Sequence, residues 1–423
     1  MTLPGSPFLA YKGADLFMDD VSLRDLVRQH GSPLYVYSRR AMLAALAPYQ
    51  KALVGRPHLI CYAVKANSNL AVLQTFAQAG CGFDIVSAGE LARVLAAGGQ
   101  AGKVVFSGVG KTRDEMKLAM QAGVRCFNVE STAELEVLSD VASGLGQRAK
   151  VSLRVNPDVD AGTHPYISTG LKGNKFGVAH ELAVATYQRA ATLPGIDVVG
   201  IDCHIGSQIT EVSPYLDALD RVLDLVEAIE AAGVKIHHLD LGGGLGITYT
   251  DETPPAADVL IGQLLAKIDA RGHGHREIVF EPGRSLVGNA GVLLTEVMFL
   301  KPGEQKNFCV VDAAMNDLMR PALYEAYMGI VNTHQYTGGE QTWDVVGPVC
   351  ESGDWLGRDR VLNVQPGDVL AVLSAGAYGM TMASNYNTRG RAAELMVDGG
   401  QVWVVREREA VADLFKLEKL LPG

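Results

Sequence analysis

His58-Leu59-Ile60-Cys61-Tyr62-Ala63-Val64-Lys65-Ala66-Asn67 opens as an apolar run and closes on a lysine. A short apolar run that ends in polar residues reads as a buried strand. Burying a lysine at the strand end is costly, because desolvation disfavours the charged form and lowers its pKa. A neutral amine so placed can attack an aldehyde, which makes Lys65 a candidate Schiff-base nucleophile. The plainer reading is a lysine that has reached solvent at the strand terminus, and Lys65 alone does not decide between the two.

Working outward, seven further runs rich in β-branched and aromatic residues follow: Gly82–Ser87, Lys103–Ser107, Arg125–Val129, Lys150–Asn156, Val198–His204, His237–Leu241 and Glu277–Glu281. The stretches between them, such as Glu90–Ala97, Arg113–Gln121, Ala133–Val141 and Tyr215–Ala232, place apolar residues at helical intervals. Eight strands alternating with helices predict an α/β fold, a closed (β/α)8 TIM-like barrel of about 250 residues. An open doubly wound sheet is the competitor, but the GxGxxG turn that would favour it is absent after the first strand. Beyond Gly283, runs such as Gly291–Leu300, Asn307–Val311, Thr342–Val346, Val369–Leu373 and Val402–Val404 alternate with turns and few helices. They predict a mostly antiparallel β domain, joined by the strand-like Leu34–Tyr37. The expected division is a cofactor-binding barrel over 35–285, and a β domain of 1–34 and 286–423 that completes the active site. Between the fifth and sixth strands, the long glycine-bearing loop Pro157–Gly177 has the make-up of a lid.

With 423 residues the chain has room for two domains. At 48% hydrophobic and 20% charged it is composed like an ordinary globular protein. A net charge of -10 argues against nucleic acid or an anionic membrane as partner, though not against an anionic small molecule met by local arginines. The six cysteines form no CxxC pair, so neither a zinc site nor a disulfide framework is expected, no metal is assigned, and a reducing cytoplasm fits best. Met1–Tyr11 does not read as a signal peptide, and uncharged Val369–Thr388 is too broken by glycine and asparagine for a membrane span.

Barrel enzymes keep their chemistry at the C-terminal strand ends. Here those ends carry Lys65, Asp84, Ser107, Glu130, Arg154, His204, Gly242–Gly244 and Glu281–Arg284. Gly242, Gly243 and Gly244 expose backbone N–H groups to an anion, and they follow the seventh strand, where barrels commonly hold phosphate. A plain tight turn is the alternative. Glu281 is either a capping or ion-pairing carboxylate or a partner for a protonated ring nitrogen. His204, followed by Gly206 and Ser207, leaves room for a flat ring beside it. Arg284 and Arg320 suit a carboxylate, which guanidinium binds with paired hydrogen bonds. Cys350, beside Glu351 and Asp354, is either an inert small hydrophobe or a proton donor.

In these residues the chain resembles the diaminopimelate decarboxylases, pyridoxal-phosphate enzymes built from a barrel and a β domain. The likeness runs through YAVKAN (62–67), GFDIVSAGEL (82–91), NPDVDAGTHPYISTGLKGNKFG (156–177), HIGSQI (204–209), GGGLGI (242–247), EPGR (281–284), RPALY (320–324), CESGD (350–354) and GAYGMTMASNYN (376–387). The resemblance implies that Lys65 forms the internal aldimine with pyridoxal 5'-phosphate, that His204 stacks on its ring and that Glu281 pairs with the ring nitrogen. It implies that Ser207, Gly242, Gly243, Gly244, the turn of Glu281, Pro282, Gly283 and Arg284, and Tyr378 hold the phosphate, with Asp84 and Arg154 supporting. Arg284, Arg320 and Tyr324 would bind the far carboxylate of a small amino-acid substrate and Glu351 its far ammonium, with Tyr378 also lining that end. Cys350 would reprotonate the substrate carbon. In this family Cys350 and Glu351 come from the second subunit, so a homodimer with shared active sites is implied.

The implied reaction is decarboxylation of meso-2,6-diaminopimelate to L-lysine, the last step of bacterial lysine biosynthesis. Decarboxylases of ornithine, arginine or carboxynorspermidine are the nearest rivals; the first two substrates lack the distal carboxylate that a double-arginine clamp would serve. Alanine racemase shares the cofactor geometry but fits the CESGD segment poorly. A catalytically dead relative would be expected to have lost Lys65, His204 or Glu281, and a bare cofactor carrier would need no second domain.

Overall fold

The computed structural model describes residues 2–159 and 175–423. Eight parallel strands, His58–Ala63, Gly82–Ile85, Val104–Phe106, Cys126–Val129, Ala149–Asn156, Ile196–Asp202, His238–Asp240 and Glu277–Phe280, pair in that order. The last pairs back onto the first, with Ile278 opposite His58, and the sheet closes as a barrel. All eight predicted strands are present, most of them ending a residue or more inside the apolar runs. The predicted loop Pro157–Gly177 lies for the most part outside the described residues.

Side-chain caps turn the chain from strand to helix on the barrel's outside. Ser87, Thr112 and Ser131 each accept the backbone N–H three residues on, at the starts of helices Ala88–Ala96, Arg113–Ala122 and Thr132–Gly144. At Thr112 the Glu115 side chain returns the bond, completing a capping box, and Gly123 ends that helix in the left-handed region. Inside the barrel, Leu59, Cys61, Val105, Cys126 and Val279 form an apolar layer. Burial of each larger side chain in such a layer contributes about 1.5–3 kcal/mol.

One buried polar pair lies in the interior. Ser152 and His238 both stand opposite Gly200, and their side chains meet over it at 2.8 Å. A β-carbon on Gly200 would lie 2.2 Å from the His238 ring, so the glycine makes room for the imidazole. Burial first, then the charge of Arg125, pushes His238 down to about 3. The unfolded chain therefore takes up a proton between about pH 6.5 and 3 that the folded chain refuses, and stability falls with acid across that window. Chemical denaturation from pH 7 to 4 should show that slope, and His238→Gln should flatten it; an unchanged slope would assign the acid loss elsewhere.

By contacts the chain divides into two units, Leu43–Ile247 with Thr253–Ser285, and Met1–Met42 with Thr248–Glu252 and Leu286–Gly423. The second unit is built on a mostly antiparallel sheet. The strand Leu34–Ser38 lies in the middle of it, antiparallel to Gly291–Lys301 and parallel to Ala393–Asp398. Residues 35–42, placed in the barrel from sequence, thus fall in this unit, because every residue of Leu34–Ser38 is buried in that sheet. Its core gathers Leu9, Leu16, Leu23 and Leu26 from the N-terminus with Val36, Val292, Leu294, Ala371 and Leu395. Among the described residues no helix is long and apolar enough to cross a membrane.

Candidate active site

A strand places alternate residues on one face. In the barrel this carries the interior set upward from Cys126 to Asn128 and Glu130, from Ser152 to Arg154, from Gly200 to Asp202 and His204, and from His238 to Asp240 and Gly242. The upper members of these series, with Asp84 and Glu281, form a polar floor at the C-terminal strand ends. Lys65 stands above it on the 3-10 turn Val64–Ala66, not within the strand. Its ammonium pairs with Asp84 at 2.8 Å, the lysine side chain 39% exposed and the aspartate fully buried. The neutral, buried amine expected from sequence is replaced by an ion-paired one, because Asp84 on the neighbouring strand supplies the counter-charge. The turn Glu281–Arg284 braces the same place. Pro282 O accepts the N–H of Ala63, and a β-carbon on Gly283 would lie 3.1 Å from those of Ala63 and Ala66.

Glu281 is buried and accepts the amide of Asn128 at 3.2 Å. One oxygen each of Glu281, Asp240 and Asp202 lie within 4.8 Å of one another. Burial, then Asp240, Asp84 and Asp202, push Glu281 well above the carboxylate range, with Lys65 acting the other way. Burial likewise raises Asp240 to about 6, and burial with Asp240 raises Asp202 further. Such a cluster holds protons that isolated carboxylates would have lost at neutral pH. Asn128, Asp202 and Asp240 had no role assigned from sequence. Each is a polar residue at or next to the C-terminal end of a barrel strand, the one mark of it that the sequence carries.

Arg154 is paired with Glu130 at 3.2 Å and stacked on the Phe176 ring at 4.8 Å. Burial opposes its charge, but Glu130, Asp202 and Glu281 prevail and raise its pKa. Glu130 also accepts the N–H groups of Gly108 and Gly177, so it ties two loops to the guanidinium. His204 is held neutral: desolvation, then the charges of Arg154 and Lys65, lower it well below the usual range. Consistent with that, Nδ1 accepts the N–H of Gly243 at 3.2 Å.

The glycine loop is closed on three sides. β-carbons on Gly242, Gly243 and Gly244 would lie 2.6, 2.2 and 2.5 Å from the carbonyl oxygens of Cys203, Glu281 and Gly206, and Gly242 and Gly244 have φ of 65° and 100°. Only glycine permits this fold of the loop. Beside it Arg284 donates to Ser207 Oγ at 3.0 Å, so the two predicted phosphate ligands are neighbours.

The other predicted residues lie in the second unit. Arg320 is buried at the start of the short helix Arg320–Tyr324, its guanidinium over the rings of Tyr249 at 5.4 Å and Tyr324 at 5.8 Å. Tyr249 was not foreseen; it belongs to the segment Thr248–Glu252 that leaves the barrel sequence to join this unit. Cys350 is exposed, and its N–H donates to Asn387 Oδ1 at 2.9 Å. Glu351 follows it, also exposed. Asp354, buried, accepts the N–H of Val349 at 2.7 Å and of Met315 at 2.6 Å, which joins the Cys350 turn to the segment leading into Arg320. Tyr378 stands at φ 54°.

Residues 39–288 match the family model described as pyridoxal-dependent decarboxylase, pyridoxal binding domain. The chain is 58% identical to a diaminopimelate decarboxylase of Pseudomonas aeruginosa over 98% of its own length and 99% of that protein's. A diaminopimelate decarboxylase of Vibrio cholerae is 56% identical, over 96% and 97%. Among solved structures, a diaminopimelate decarboxylase from M. jannaschii in complex with L-lysine superposes with a TM-score of 0.94 at 38% identity, covering 99% of each chain. One from Helicobacter pylori, also with L-lysine, gives 0.88 at 40%, over 93% of this chain and 98% of that one. The barrel rim fits the pyridoxal phosphate that this kinship implies: an amine on a turn, a proton-holding carboxyl beneath it, a neutral imidazole, and a loop whose curl excludes any β-carbon.

Proposed function

Because the chain belongs to the pyridoxal-dependent decarboxylases, and among them to the diaminopimelate decarboxylases, we propose that it removes CO2 from the D-configured end of meso-2,6-diaminopimelate and leaves L-lysine. The observation that carries this reading is the convergence of Lys65, Asp84, His204, Glu281 and the glycine loop on one rim of the barrel, in a carboxy-lyase whose cofactor is pyridoxal phosphate. When bound, pyridoxal phosphate supplies the electron sink for the pair left on the substrate carbon as CO2 departs.

The chain's residues do the rest. Lys65 Nζ would be the amine that holds the cofactor, and Asp84, 2.8 Å away, would hold the amine's proton. Glu281, pushed up by burial and its acidic neighbours, would hold a proton for the cofactor's ring nitrogen. His204, its pKa lowered by desolvation, would face the ring without adding positive charge. The N–H groups of Gly242–Gly244, the Ser207 hydroxyl and Arg284 receive the phosphate, with Tyr378 and the turn Glu281–Gly283 completing its cradle. Arg154, its own charge engaged by Glu130, orders the rim beside the lysine.

Arg284, Arg320 and Tyr324 take the distal carboxylate and Glu351 the distal ammonium, which together read the L end while the D end reacts. The thiol of Cys350 then delivers its proton to the substrate carbon and is reprotonated from solvent. In our reading the barrel unit, Leu43–Ile247 with Thr253–Ser285, carries the cofactor, the second unit completes the site, and Cys350 and Glu351 reach it from the second subunit of a homodimer in the cytoplasm. CO2 release from meso-diaminopimelate, with L,L-diaminopimelate, ornithine and arginine in parallel, tests the assignment. Release from the meso compound alone, with lysine as product, is expected. Release from ornithine or arginine would overturn the roles given to Arg284, Arg320 and Glu351.

A further inference from the structure

A residue of one turn grips the backbone of the cysteine to which the proton delivery falls. Asn387 Oδ1 accepts the backbone N–H of Cys350 at 2.9 Å. Asn387 makes its contact from φ 55°, ψ 27°, a left-handed conformation that asparagine tolerates better than most residues.

The turn is itself anchored. Asn385 Nδ2 donates to Glu409 at 2.8 Å and to Arg389 O at 3.0 Å, and Arg391 donates to both Asn385 and Glu409 at 3.0 Å. Although burial acts the other way, the N–H of Arg391 and the side chains of Asn385 and Arg391 hold Glu409 down at about 2. The Asn387 side chain is therefore held out from a braced turn. A backbone N–H bond at Cys350 fixes where the Cα–Cβ bond points, and so where the thiol can reach.

We propose that Asn387 is a positioning residue that aims the thiol of Cys350; this rests on the role proposed above for that cysteine. A thiol aimed off the substrate carbon lets the proton arrive instead on the cofactor's aldehyde carbon. Hydrolysis then leaves pyridoxamine phosphate and an aldehyde in place of lysine.

The variant Asn387→Gly keeps the left-handed backbone and removes only the acceptor. In the full chain loaded with pyridoxal phosphate, two readouts are taken: the rate at which iodoacetamide alkylates Cys350, located by mass spectrometry, and the fraction of turnovers ending in pyridoxamine phosphate. We expect the alkylation rate to change severalfold and the pyridoxamine fraction to rise about tenfold, as losing a hydrogen bond worth about 1.4 kcal/mol would give. Asn387→Asp, which keeps the acceptor oxygen, should restore both. Parent-like alkylation and partition in Asn387→Gly, or no rescue by Asn387→Asp, overturns the proposal. The alkylation arm does not depend on Cys350 being the donor. A fully active Cys350→Ala would refute that role, and with it the catalytic half of this proposal, while a changed alkylation rate would still establish the aiming by Asn387.

Discussion

Lys65→Ala abolishes decarboxylation, lowering turnover by about 10³-fold or more, and removes the visible absorbance of lysine-bound pyridoxal. Lys65 is paired to a fully buried carboxylate, Asp84, at 2.8 Å. The substitution also strips Asp84 of its cation. For a fully buried pair that would cost about 3–5 kcal/mol, and it costs less here because the lysine side chain is 39% exposed. The variant should fold, with a modestly lowered thermal midpoint. A retained visible band on reloading with cofactor would sink the assignment of Lys65, whatever the activity.

The second large effect is at Glu281. Glutamine in its place can neither hold a transferable proton nor carry charge opposite a protonated ring, so Glu281→Gln should lower turnover by about 10²-fold or more while the cofactor remains attached to Lys65. The same change thins a crowd of buried acids in which Asp240 already sits near 6. The thermal midpoint should therefore hold or rise as the activity falls, the trade expected where a site keeps strained charge for its chemistry. A variant that turns over like the parent would remove Glu281 from the reaction, and one that loses both activity and midpoint would mark it as structural.

The eight barrel strands were legible because each is an apolar run flanked by turn residues, and their closure followed from their number. Their ends were not legible: the apolar run continues past the last ladder bond, which is how Lys65 came to stand on a turn and to face Asp84. The single residues at strand ends, Lys65, His204 and Glu281, could be picked out one at a time. What surrounds Glu281 could not. Asp202, Asp240 and Asn128 sit on three different strands, and only the stagger of a closed sheet brings them together. The anchoring network of the second unit was hidden for a similar reason. Asp354, Asn387 and Tyr249 act on backbone and ring partners distant in the chain, and a backbone N–H leaves no mark in a sequence.

The central place of Leu34–Ser38 in the second sheet has a consequence for how the protein is made. Its two partner strands, Gly291–Lys301 and Ala393–Asp398, are translated after the whole barrel. At roughly 5–20 residues per second, a ribosome takes on the order of tens of seconds to supply the later one. Until Gly291–Lys301 is made, Leu34-Tyr35-Val36-Tyr37-Ser38 is an emerged, apolar strand with both edges unpaired, and one edge stays open until Ala393–Asp398 follows, while Leu43–Ser285 already contains every strand its barrel needs. The nascent chain thus carries its most adhesive segment ahead of a unit able to close early, and the segment becomes safe only when the last third of the message has been read.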